Sequence, residues 1–158
     1  MTRVLFVCTG NICRSPLAEA LLKRALAERG LDDIAVASAG TGAWDGAPAS
    51  EGAYLVALER GLDLSSHRAR LLTREIVEDT ELILTMARHH RARVHELGGE
   101  GRVFVLGEYA GRSGEEAEVG DPFGGDLEVY RDTCAELEAL IVTVADRLAG
   151  RARSEDRQ

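Results

Sequence analysis

The first apolar run, Val4-Leu5-Phe6-Val7, predicts a buried strand, and Leu17, Leu21, Leu22, Ala25 and Leu26 then recur at helical spacing up to Gly30. Gly30 suits the position just past a helix end. Ile34 to Ser38 predicts a second strand, a glycine-rich loop follows through Trp44, and Tyr54, Leu55 and Leu58 mark a helix that stops near Gly61. Thr73 is a candidate cap for a short helix over Glu75 to Asp79, ahead of a third strand at Leu82-Ile83-Leu84. A helix from Arg88 to Leu97 leads to a fourth strand at Val103 to Leu106. Strands alternating with helices predict the α/β class, with a parallel sheet covered on both faces. Residues 107 to 125 carry six glycines and an acidic run, which predicts a flexible surface loop. In the last helix Leu127, Tyr130, Cys134, Leu137, Ile141, Val144 and Leu148 step by threes and fours along one face. The polar residues 150–158 predict a disordered tail, which leaves 1–149 as a single domain without internal repeats.

Composition narrows the function classes. A chain of 158 residues that is 45% hydrophobic builds a core without metals or disulfides. The apolar run after Thr2 and Arg3 is far too short for a signal peptide or a membrane span, so a cytoplasmic protein is expected. Three cysteines, with Cys8 and Cys13 close together and Cys134 far away, do not form a disulfide framework. The net charge of −8 argues against nucleic acid or an anionic membrane as a partner, so any anion must be bound locally.

Such a local site is encoded between the first strand and its helix, in Cys8-Thr9-Gly10-Asn11-Ile12-Cys13-Arg14-Ser15-Pro16. The carboxyl end of a parallel strand is where open α/β sheets bind ligands, and a helix starting near Pro16 aims its free N–H groups at the loop. Gly10 and Asn11 suit a backbone that wraps a tetrahedral oxyanion, and Arg14 offers a two-pronged permanent charge. The same field favours the thiolate of Cys8, the form that attacks phosphorus, and Ser15 helps if its hydroxyl points at the sulfur. By itself a cysteine and an arginine at this spacing is a weak signal, equally read as a strand-end cysteine and a surface charge. Its place at a strand-to-helix junction strengthens it.

In these residues the chain resembles the low-molecular-weight protein-tyrosine phosphatases of bacteria, with similarity to the bacterial protein arginine phosphatases. The loop Val7 to Pro16 matches the family signature, and Asp121-Pro122 before the last helix matches its second motif. The resemblance implies a four-stranded parallel sheet and cofactor-free hydrolysis of a phosphoprotein through a cysteinyl-phosphate. It implies Cys8 as nucleophile, Arg14 as clamp and Asp121 as general acid, with Thr9, Gly10, Asn11, Ile12, Cys13 and Ser15 around the phosphate. Asp121 is equally a turn-starting or helix-capping residue when its segment is read alone. By the same resemblance Ile12, Trp44 and Phe123 wall the pocket, His67 steadies the loop through Asn11, and Cys13 can pair with Cys8 in a reversible disulfide. Cys13 as a small packing residue is an equal alternative, and Cys134 belongs to the core stripe. His89, His90 and His95 read as a solvated basic helix face with no metal-ligand spacing.

Two further functions fit parts of the pattern. An arsenate reductase on this fold would need a cysteine relay, yet no cysteine lies between Arg14 and Thr133. A non-catalytic phosphoprotein-binding module would not need both Cys8 and Asp121. Phosphotyrosine is the expected substrate and phosphoarginine the alternative: the arginine-directed proteins share Asp121-Pro122-Phe123-Gly124-Gly125 but carry threonine where this chain has Ile12. A monomer is assumed, with a phosphorylated protein as its only expected partner.

Overall fold

In β1 (Thr2–Cys8) alternate residues face opposite helical layers, because side chains on a strand point up and down in turn. Val4, Phe6 and Cys8 join a core with the first, second and last helices, whereas Leu5 and Val7 pack with Val77 and Val94 on the other side. The computed structural model describes residues 2–156. After β1 come α1 (Arg14–Glu28), β2 (Ile34–Gly40), α2 (Glu51–Glu59), α3 (Arg74–Glu78), β3 (Leu82–Thr85), α4 (Arg88–Glu96), β4 (Val103–Val105), α5 (Leu106–Tyr109) and α6 (Leu127–Asp156). The four strands are all parallel in the order β2-β1-β3-β4. This is the expected single-domain α/β sheet with helices on both faces.

Local chemistry explains the element ends. The Ser50 hydroxyl accepts from Ala53 N–H at the start of α2, and the Thr73 hydroxyl accepts from Ile76 N–H at the start of α3, each a side-chain N-cap. Asp126 does the same for α6 through Val129 N–H. The buried face of α6 carries Tyr130, Cys134, Leu137, Ile141, Val144 and Leu148, so the sequence stripe is the packing stripe. Each fully buried leucine or phenylalanine contributes about 1.5–3 kcal/mol.

Two expectations are corrected. Residues 107–125 are not simply a flexible loop: α5 begins the stretch, a 3-10 turn spans Gly114–Ala117, and Ala117 and Val119 are buried. Val119 N–H donates to Met86 O and Arg88 N–H donates to Glu118 Oε2, which ties the segment to the ends of β3 and α4. Nor does the chain become disordered at Gly150, since α6 continues to Asp156. One glycine costs a helix only about 1 kcal/mol, and Arg151, Ala152 and Arg153 are good helix formers. Residues 157–158 of the expected tail lie outside the described residues. No helix among the described residues is long and apolar enough to cross a membrane.

Candidate active site

The strand order turns at β1, with β2 on one side and β3 on the other, and the loop Thr9–Cys13 leaves from the carboxyl end of β1 at that point. Asn11 has φ of +56°, a left-handed conformation that asparagine tolerates. Gly10 does not adopt a positive φ, so its freedom is not what shapes the turn. The critical glycine is Gly40 at the end of β2, where a Cβ would lie 2.4 Å from Thr9 O and 2.9 Å from Asn11 N. Among the described residues, no backbone carbonyl accepts from the amide groups of Gly10 to Ser15. Cys13, the residue before α1, makes no side-chain cap. The loop therefore presents a run of unspent N–H donors beside a helix N-terminus, which suits an anion.

Asn11 is held from several directions. Its Oδ1 accepts from Arg70 N–H, which fixes the amide so that Nδ2 donates to Ser15 Oγ at 2.8 Å and Ser38 Oγ at 2.9 Å. Ser38 in turn donates to Glu19. Because Ser15 accepts from Asn11, its own proton is free for Cys8 Sγ, 2.9 Å away. His67 Nε2 lies 2.7 Å from the Asn11 carbonyl, so this nitrogen carries the donated proton.

Cys8, Thr9, Gly10, Ile12, Cys13, Arg14, Asp121 and Phe123 line one pocket of about 200 Å³. The Arg14 guanidinium is buried there: Nη1 donates to Val119 O at 2.8 Å, Nη2 lies 3.8 Å from Asp121 Oδ2, and Nε has no partner among the described residues. A buried guanidinium with an unpaired N–H is costly unless an acceptor arrives. Asp121 is not the cap of α6, a role taken by Asp126; its Oδ1 accepts from Phe123 N–H in a tight turn. A larger cleft of about 350 Å³, lined in part by Glu19, Lys23, Arg68 and Arg70, lies on the supporting side and has no cysteine in its lining.

The remaining candidates divide. Phe123 is on the pocket rim and Ile12 on its wall, but Trp44 is 84% exposed and outside the lining, because its loop projects it into solvent. Cys13 Sγ contacts Ser50 Oγ at 3.1 Å and Tyr130 OH at 3.4 Å, and burial pushes its thiol pKa up against the opposing effect of those hydrogen bonds. Burial also pushes Tyr130 up to about 12. Cys134 is wholly buried on the core stripe. His90 corrects the reading of a solvated basic face: it has no exposed surface, and burial, then His89 and Arg14, lower its pKa to about 3. The available signal was its place four residues before Val94, which continues the buried stripe of α4 across a run of polar letters.

The profile of the family "Low molecular weight phosphotyrosine protein phosphatase" matches residues 3–154. A protein-arginine-phosphatase of Geobacillus stearothermophilus is 39% identical over 148 residues, covering 92% of this chain and 95% of that protein. Low molecular weight protein-tyrosine phosphatase A of Mycobacterium tuberculosis is 38% identical over 147 residues, covering 90% and 89%. The crystal structure of a YwlE mutant from Bacillus subtilis superposes with a TM-score of 0.88 at 36% identity, covering 94% of this chain and 99% of that one. This chain is a member of the low molecular weight protein-tyrosine phosphatase family, and an enzyme of its cysteine-dependent hydrolase type.

Proposed function

We propose that the protein hydrolyses phosphate from protein side chains, phosphotyrosine above all, with Cys8, Arg14 and Asp121 as the reacting groups. One observation carries this reading: those three residues, from opposite ends of the chain, line the same pocket. The phosphoryl group sits on the free amides of the loop and is clamped by Arg14. Cys8 thiolate forms the S–P bond in line with departure of the leaving oxygen, and Asp121 gives that oxygen its proton. Water then attacks phosphorus as Asp121 takes a proton back, which releases phosphate and the thiolate. Ser15, with its proton directed at Cys8, stabilises sulfur in both steps. His67 keeps Asn11 in its left-handed conformation through the carbonyl contact.

Substrate choice rests on the pocket wall. Ile12 offers an apolar surface without a hydroxyl, which suits an aromatic ring better than a guanidinium, and Phe123 adds a face for stacking. The arginine reading draws support from the arginine phosphatase relatives and from Gly124, which has no side chain and leaves the rim beside Phe123 bare. Specificity constants on matched phosphotyrosine and phosphoarginine peptides test the choice, with Ile12→Thr expected to move preference toward phosphoarginine. A natural protein that already prefers phosphoarginine, unmoved by Ile12→Thr, refutes the assignment. Cys13 serves as a reserve thiol that closes a disulfide with oxidised Cys8. Three free, buried cysteines suit a reducing compartment such as the cytoplasm.

A further inference from the structure

His90 has no part in the chemistry above, yet both of its ring nitrogens are engaged. Ala87 N–H donates to Nδ1 at 3.1 Å, and Nε2 lies 2.9 Å from Thr9 Oγ1. A backbone N–H only donates, so Nδ1 is an acceptor without a proton. Burial keeps the ring neutral, and its single proton therefore sits on Nε2 and is donated to Thr9. The Thr9 hydroxyl receives this bond from the α4 side and must direct its own proton elsewhere. Thr9 is exposed, adjoins Cys8 and lines the pocket, so the open direction is the pocket itself.

We infer that His90 is a positioning residue that fixes the Thr9 hydroxyl as an oriented donor to a non-bridging oxygen of the bound phosphoryl group. It repeats on the mouth side of Cys8 what Asn11 does beneath it, where occupying the Ser15 acceptor directs the Ser15 proton to sulfur. A protonated ring could not serve, because Nδ1–H would oppose Ala87 N–H. The arrangement acts in binding and in the transition state alike, since the non-bridging oxygens carry charge in both. The inference rests on the phosphatase reading of the pocket, and its test separates the two.

Tungstate is titrated against Cys8→Ser protein, in which turnover plays no part. Thr9→Val, at an exposed position, is expected to weaken tungstate by about tenfold, the loss of one hydrogen bond to a charged group. His90→Phe should weaken it similarly, and the two losses should not multiply when combined. His90→Gln should restore most of the affinity, because its amide oxygen can accept from Ala87 and its amide nitrogen can donate to Thr9. Multiplying losses, or unchanged affinity in Thr9→Val, overturn the proposal. Should His90→Phe fail to fold, Thr9→Val and nitrogen NMR shifts decide: the Nε2–H tautomer of His90 is required and the Nδ1–H tautomer is fatal. A Cys8→Ser protein that folds but binds no tungstate overturns the phosphatase reading and this proposal with it, whereas binding that is indifferent to Thr9 overturns only the proposal.

Discussion

Arg14 keeps a full charge almost out of water, with one carbonyl partner and a carboxylate at the edge of ion-pair range. A lysine there supplies charge without the planar fork, so it loses the fixed two-pronged geometry with which the guanidinium holds Val119 O and faces the phosphoryl group. Arg14→Lys should cost about 10²–10³-fold in kcat/KM on any aryl phosphate, and near-normal activity would place the clamp elsewhere. Asp121 shares the same charge from the opposite side of the pocket, at a position reached by solvent. Asp121→Asn should cost far more on phenyl phosphate than on an ester whose leaving group is strongly acidic, since only the poor leaving group needs the proton. Equal losses on both esters would remove Asp121 from the acid role. In Cys8→Ser the amides and Arg14 survive, so turnover should vanish while vanadate still binds.

At the scale of elements, β2 and the loop after β1 fit only because Gly40 has no side chain. The atoms a methyl would meet, Thr9 O and Asn11 N, are backbone and cannot rotate away. Gly40→Ala should therefore cost about 1–3 kcal/mol in urea denaturation and weaken oxyanion binding with it. Unchanged binding would show that the loop tolerates a shift against β2. Cys13 is gripped by the cap of α2 and by Tyr130 of α6, and it must leave both to reach Cys8. Peroxide inactivation should be reversed by thiol in the natural protein and not in Cys13→Ala, where Cys8 over-oxidises. Much of this level was legible. β1, its loop and α1 are coded by neighbouring letters, and capping residues such as Thr73 announce themselves locally. The stretch after β4 was not, because its six glycines outweigh Ala117 and Val119, whose burial depends on close packing at Gly107 and on distant Met86.

Across the whole molecule the harder features join remote parts of the chain. His90 looked solvated because its neighbours are basic and hydrophilic, and the contact that engages it is with Thr9, 81 residues away. That burial has a consequence for pH. The unfolded histidine protonates around 6.5 and the folded one only around 3, so between these values the unfolded state binds the extra proton. Stability from keeping His90 neutral is thus complete above about pH 6.5 and is lost as pH falls toward 3. The acid limb of a denaturation profile should be shallower in His90→Gln, and identical limbs would contradict the shift.

The bond from Arg14 to Val119 spans 105 residues and fastens the start of α1, just after the first loop, to the segment that precedes the last helix. Phosphate that docks on both is therefore a cross-strut that the unfolded chain cannot recognise. At a concentration a hundred times its dissociation constant, such a ligand adds about 2.7 kcal/mol to the unfolding free energy, enough to raise the melting temperature by several degrees. Inorganic phosphate, the product of the reaction, should then double as a thermal protectant. The gain should persist in Cys8→Ser and shrink in Arg14→Lys, so a melting curve reads the integrity of the cradle in protein that turns nothing over.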